Sequence, residues 1–600
     1  MSLEIRNLRI LAGPNVWAAC PVLEIVLAGN DADAAQALVA ETLRLQEIAG
    51  TPVAFSVVTR TATDGVVAAV EFAEEPVGRT ALELAVRLLG PEATGPTEDD
   101  IQRLKGLRVQ ARLLSAIETT FVGARQIGVP VCFLSPDYGG FLVLGQGSKQ
   151  HRIRWAEPDV VSGVGRLAST DKYLTNQLLR NIGIPVPRGK LLAEGDDPWA
   201  AASEVGLPVA IKPFDCDMQI GVSLDLRTQD RVEEAFRAAL EHTHWVLVEH
   251  FAPGAEHRVI VVGDRVVAVT RIEPPHVIGD GAATIAELVA TTNRDPRRGE
   301  PDSDGPLYKL KLDDVAREVL ASQGMTTGST PAAGRKVLVR RDPPYFKNGG
   351  NLSDLTDVIH PATAEYAVAA ARMMQIPVAG LDVVAVDIAR PLEEQEGIIV
   401  EINSNPGLWL HLAPWADSPR PIGQEIAAWL FPDGDGRIPV VAIVGEEGGI
   451  VARQLAALLM RAGKRVGTTS RAEMSSGSRR WRTPPGTPQE RAEIVFRNPE
   501  VDVAVFETDP EELLAHGFAA DRCDVAVLLS APPAARDEDR ASADFVRALS
   551  HALGPRGTFV TTAAWPSASL GVDATRVIRI AEPDEASQAV ARALGMSIGE

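Results

Sequence analysis

Cysteine is scarce: four residues in a chain of 600 (Cys20, Cys132, Cys216 and Cys523), widely spaced and with no C-x-x-C pair. A disulfide framework or a structural zinc site is therefore not expected, and the thiols read as buried and reduced. Long apolar runs are missing as well. No stretch approaches the roughly 18 uninterrupted apolar residues of a membrane span. The opening MSLEIRNLRILAGPNVW has neither an apolar signal region nor a small-residue cleavage site, so a cytoplasmic protein is expected. Basic residues are in the minority, with 59 Lys and Arg against 80 Asp and Glu, a net charge of −21. An acidic surface repels phosphate backbones, which argues against nucleic acid as the main partner but leaves room for a local basic pocket for ATP.

What is present is ordinary globular composition, 45% hydrophobic and 23% charged. A chain of this length implies three to five domains on the usual size prior. Residues 1–160 read as an α/β domain: apolar runs such as VLEIVLA and PVAFSVV alternate with Ala-rich helical pattern, as from Asp31 to Ile48. Gly90 to Asp100, with two prolines and a run of acids, reads as a loop. A second domain, 161–432, opens with the helix STDKYLTNQLLRNIG, with Ser169 or Thr170 as N-cap and Gly183 as its stop. Strands PVAIKPF and WVLVEHF follow, with a helix from Asp230 to Thr243 between them. Then comes a hairpin, EHRVIVVGDRVVAV, with Gly-Asp at its tip. GLDVVAVDI and GIIVEIN are two later strands that carry carboxylates. FPDGDGRIP reads as a linker. After it, PVVAIVG, a glycine turn and a helix open a third domain, 437–600, of parallel nucleotide-binding type. Ser475 to Pro488 reads as a polar loop.

Chemistry concentrates in the second domain. Glu401 and Asn403 lie two apart on a strand and so face the same way. Two oxygen ligands on one face, with a third carboxylate from a neighbouring strand, suit Mg²⁺ held against nucleotide phosphates. The third group is Asp382 or Asp387. Lys212 ends an apolar strand, where an unpaired ammonium is costly, and a phosphate would satisfy it. Lys172 is its expected companion. Glu249 sits where a hinge offers backbone amides to an adenine and a carboxylate to a ribose. His257 and Arg258 suit an acyl phosphate or a substrate carboxylate.

The order Lys, Lys, Glu, His-Arg, Asp, Glu-x-Asn-x-x-Pro-Gly resembles the ATP-grasp superfamily. The tracts LRILAGPNVW, LGQGSKQHRI, GIPVPRG, HVIGDGAATIAEL, TNRDPRRG and VEINSNPGLWLHLAP are similar to those of cyanophycin synthetases. That resemblance implies a central ATP-grasp fold, a C-terminal Mur-ligase-like region, and ATP and Mg²⁺ as cofactors. It also implies a peptide substrate of aspartate and arginine, activated as an acyl phosphate that an amine attacks. A homodimer or homotetramer is the expected assembly.

The chain departs from the family at two places. The Mur-type ATP loop G-T-N-G-K-T-T is replaced by G-E-E-G-G-I-V, Gly445 to Val451. With Gly449 at the lysine position and two glutamates added, the second site is expected to be dead. The chain also stops before the last Mur domain, which resembles the shortened synthetases that polymerise preformed β-aspartyl-arginine. In the ATP-grasp part, K-P-F-D-C-D-M-Q-I-G replaces a glycine-rich loop, with Cys216, Met218, Gln219 and Ile220 at altered positions. Asp354-Leu355 stands where the family has T-G-G. Three readings follow: a shortened-type polymerase, a ligase for another dipeptide, or a silent relative that binds nucleotide, polymer or a partner.

Overall fold

The computed structural model describes residues 4–60, 65–90, 95–108, 115–135, 140–214, 221–300, 307–341, 348–411, 420–445, 447–529, 538–562, 570 and 572–596. The altered loop at Cys216–Ile220, most of the DPPYFKNGG tract and Glu446 lie outside these residues. The protein is α/β throughout and forms two compact units: Met1–Leu113 with Gly145–Gln150 and Gly434–Glu600, and Leu114–Leu144 with His151–Asp433.

The first unit holds two sheets. The N-terminal one is antiparallel, in the order Ile5–Leu11, Val22–Leu27, Val66–Glu71, Ser56–Arg60. Its apolar face (Leu23, Ile25, Leu27, Val66, Ala68 and Val70) is covered by the helix Ala32–Ala49, capped by Asp31 and closed by Gly50 in the left-handed region. The expected loop ending at Asp100 stops earlier. Thr97 and Asp100 form a reciprocal capping box that starts a helix at Glu98, because three acids in a first turn favour the positive helix end. The second sheet has eight strands, six of them parallel, around Val440–Val444. Helices cover both faces, giving two separate cores. Ser475 to Pro488 is a loop only in part: Glu473–Ser476 and Arg479–Arg482 pair as a hairpin on this sheet, turning at Gly477. The LRILAGPNVW tract is structural here. Its turn docks on the C-terminal part through Ala12 N–H to His516 O and Phe518 N–H to Pro14 O.

In the second unit a five-stranded antiparallel sheet runs Asn351–Asp354, Arg265–Glu273, Ala255–Val262, Val378–Ala385, Ile398–Asn403. One face packs Val259, Val261, Val269, Leu381 and Val383 under the helix Pro361–Met373; the other carries the polar residues described below. A four-stranded sheet (Ser223–Leu226, Val209–Pro213, Trp245–His250, Gly189–Ala193) packs two helices against Val209, Ile211, Val246 and Val248. Helix Ser115–Gln126 also belongs to this unit. It crosses Ile422–Leu430 so closely that a Cβ on Gly123 would lie 2.3 Å from the Gly423 carbonyl carbon, an approach only glycine permits. Residues 114–144 and 151–160, read from sequence as N-terminal, are thus part of the second compact unit. The opening helix runs Lys172–Asn181, and a separate helix, Gly163–Thr170, which the sequence reading does not include, precedes it. Asp171 rather than Ser169 or Thr170 caps Lys172–Asn181, accepting from Leu174 N–H.

Candidate active site

Strand alternation puts Glu256, Arg258 and Ile260 on the face opposite the core residues Val259 and Val261. Register then aligns a single polar row across all five strands. Asp354 pairs with Thr270, Thr270 with Arg258, Arg258 with Asp382, and Asp382 with Glu401. Asn403 lies one pair along the same face, opposite Gly380. Arg258 donates through Nε to Asp382 Oδ1 at 2.6 Å and through Nη2 to Oδ2 at 3.3 Å, and both side chains are largely buried.

From the other sheet, Lys212 reaches into the same region. Its side chain is 16% exposed, and its ammonium donates to Glu249 Oε2 at 2.7 Å. Burial pulls the Lys212 pKa down, but the charges of Glu249, Glu401 and Asp382 more than offset this and hold it above its usual value. Lys212 is therefore not an ammonium lacking a counterion, as the sequence suggests; Glu249 supplies one. Glu249 in turn is 3% exposed and also accepts from Asn176 Nδ2 at 2.9 Å. A carboxylate with both oxygens engaged inside the protein does not suit the ribose contact expected of it.

Lys172, at the start of its helix, bears on Glu401. Burial and the Asp382 charge push Glu401 upward, against the pull of Lys172, Arg258 and Lys212. Five of the expected residues, Lys172, Lys212, Arg258, Asp382 and Glu401, are thus electrostatically one cluster. Asp382 is directly opposite Glu401, while Asp387 lies beyond the strand and accepts from Ala389 N–H. His257 also departs from the expectation. It pairs with Val383 and Arg271 on the core side, is 1% exposed, and is held neutral by burial at a pKa of about 4. An adjacent pair on one strand cannot serve one site, since successive side chains point to opposite faces.

Sequence reasoning missed several residues at this face. Asn176 was signalled by its i, i+4 spacing from Lys172. Thr270 and His411 had no local signal, whereas Asp354 was marked as a departure from the family pattern but not placed on this face. His411 is buried in a short turn after Pro-Gly, with its Nδ1 2.7 Å from Thr270 Oγ1, and burial lowers it to about 3. The HVIGDG and RDPRRG tracts meet at Asn351. Its Nδ2 lies 3.2 Å from His276 Nε2, and its Oδ1 accepts from Arg298, which also donates to the Tyr308 and Gly349 carbonyls. Arg298 and Asn351 border a cavity of about 660 Å³.

Two buried neutral histidines make a stability prediction. The unfolded chain protonates both near pH 6.5, whereas the folded protein resists until about 4 at His257 and about 3 at His411. Stability is therefore full above pH 6.5 and falls as the pH drops below it, by about 2 kcal/mol per histidine at pH 5. Urea unfolding at pH 7.5 and 5 measures this, and His257→Gln should remove about half of the histidine-dependent loss.

Among the described residues no helix is long and apolar enough to cross a membrane, and no three His, Cys, Asp or Glu form a metal cluster. Residues 169–274 match the RimK-like ATP-grasp domain. The cyanophycin synthetase of Trichormus variabilis is 35% identical over 498 residues, covering 81% of this chain and 55% of that protein. A glutathione biosynthesis bifunctional protein of Clostridium perfringens is 31% identical over 298 residues, 48% of this chain and 38% of that protein. Among solved structures, a bifunctional glutathione synthetase from Pasteurella multocida covers 59% of this chain and 49% of its own at 25% identity, with a TM-score of 0.46. The chain spans about half the length of the cyanophycin synthetases it matches. With its polar sheet face and a RimK-like ATP-grasp segment, the chain is similar to the cyanophycin synthetases over 81% of its length.

Proposed function

We propose that the protein is an ATP-dependent, peptide-bond-forming ligase that extends an aspartate–arginine polymer from β-aspartyl-arginine units. The single observation that carries this is the clustering of Lys172, Lys212 and Arg258 against Asp382 and Glu401. Such an arrangement suits transfer of a phosphoryl group to a carboxylate, where the protein's task is positioning and neutralising charge. Lys172 and Lys212 would bind the phosphates of ATP; Arg258 would orient the acid substrate or its acyl phosphate. Asp382, Glu401 and Asn403 would hold Mg²⁺. The fit is chemical: two buried carboxylates side by side, one of them pushed toward its neutral form, are relieved by a divalent cation. Two protein carboxylates with the phosphates completing the shell is the usual Mg²⁺ arrangement, and the bound ion would supply charge neutralisation on those phosphates.

The C-terminal sheet would take no part in ATP chemistry. A Cβ on Gly449 would lie 3.2 Å from Glu507 Oε2, so a carboxylate already occupies the helix start where a phosphate would be cradled. A cytoplasmic homodimer or homotetramer remains our expectation for the assembly.

Phosphate release from Mg·ATP with β-aspartyl-arginine, with and without a short aspartate–arginine primer, tests the reading. Dipeptide-dependent release with a lengthened primer by mass spectrometry is the expected result. Release with a different dipeptide would reassign the substrate. No release, with ATP or primer still bound, would make the chain a silent relative.

A further inference from the structure

We infer that His411, held by Thr270, is a positioning residue that fixes Arg258 for the acid-substrate end of the site. The inference deepens the ligase reading and rests on it. Thr270 is the direct cross-strand neighbour of Arg258, and its hydroxyl is engaged by His411 Nδ1 at 2.7 Å. Arg258 and Asp354 are the charged groups that bear on His411. The imidazole is 5% exposed, and its Nε2 has no hydrogen-bond partner among the described residues. An orphaned buried polar atom is destabilising, whereas an apolar side chain of the same shape would fill the space at little cost. Stability alone therefore does not account for a histidine here.

Its neighbours show what it does. Leu410, one residue earlier, packs on Ile272 and Leu352, so the turn Leu408–His411 is fastened to the same sheet face one row away. Arg420 donates through Nε to Asp354 at 2.8 Å. Two members of the polar row, Thr270 and Asp354, thus tie down the chain on either side of 412–419, while Arg258, Asp382 and Glu401 form the reacting end. Asp382 holds Arg258 from one flank, and Thr270, whose hydroxyl His411 engages, is its cross-strand neighbour on the other. A guanidinium held on one side and flanked by a fixed neighbour on the other keeps its fork aimed, which is what bidentate recognition of a carboxylate or acyl phosphate needs.

His411→Leu and Thr270→Val are each expected to lower kcat and raise the KM for primer, together by roughly 10- to 100-fold, while the KM for ATP stays near wild type. The double variant should be no worse than either single one, because both break the same contact. His411→Asn, whose amide can reach Thr270 in place of Nδ1, should restore most of the activity. A parallel loss in the KM for ATP, unchanged kinetics, or failure of asparagine to rescue would overturn the inference. Urea midpoints provide a test that needs no turnover. Arg258→Met and His411→Leu combined should shift the midpoint by less than the sum of the single shifts; strict additivity would overturn the coupling. If the wild-type protein releases no phosphate, the ligase reading fails, and the urea cycle still decides whether His411 positions Arg258.

Discussion

Glu401→Gln is expected to abolish ATP-dependent phosphate release, by roughly 10²–10³-fold or more, while leaving the fold intact. Glutamine keeps the size and one acceptor oxygen but removes the charge beside Asp382. In the free protein that charge is a burden: burial and Asp382 both raise Glu401 above its usual pKa. A group with a raised folded pKa stabilises the protein below its unfolded value near 4.5, and that contribution is lost as the pH rises through the folded value. Neutralising Glu401 should thus leave thermal stability at neutral pH unchanged or slightly higher. Mg²⁺ should do the same for the wild type by a different route, raising its melting temperature more at pH 8 than at pH 5. In Glu401→Gln that pH-dependent Mg²⁺ effect should vanish together with activity. Turnover within tenfold of wild type would mean that Glu401 does not serve the reaction.

The strands of this site were legible as short apolar runs that carry charged residues next to turn signals. EHRVIVV and GIIVEIN both read as strands, and the structure pairs them as Ala255–Val262 and Ile398–Asn403 through the strand Val378–Ala385. What a single strand cannot convey is register. Asp382 and Asp387 were equivalent until pairing set Asp382 against Glu401, and a shift by one residue would have turned it to the core. His257 was misplaced for a related reason: residue type suggested a role that its face forbids. Partners distant in sequence were out of reach. Asn176 meets Glu249 across 73 positions, and Thr270 meets His411 across 141. The polar segment after Ser475 hid a hairpin because its residues are not the β-branched and aromatic types that mark strands. Pairing of Met474 with Trp481 at its centre, Met474 being fully buried, supplies the missing apolar contact.

Lys212→Ala is expected to fail twice, and the two failures can be separated. Removing the ammonium leaves Glu249 buried, with Asn176 as its remaining side-chain donor among the described residues. Breaking a buried ion pair from one side costs about 3–5 kcal/mol, because a charge is stranded without its counterion. A large drop in the urea midpoint should therefore accompany loss of phosphate release, and activity alone would not show whether Lys212 meets the nucleotide. The pair Lys212→Met with Glu249→Gln resolves this. It removes both charges, keeps the volume, and retains in glutamine an acceptor for Asn176, so most of the stability should return. Activity should not return, since the phosphates would still lack their cation. A double variant that is stable and active would show that Lys212 serves only to neutralise Glu249. A single variant that loses less than about 1 kcal/mol would show that the pair behaves as a surface bridge, and its burial between neighbouring strands of one sheet would be wrong.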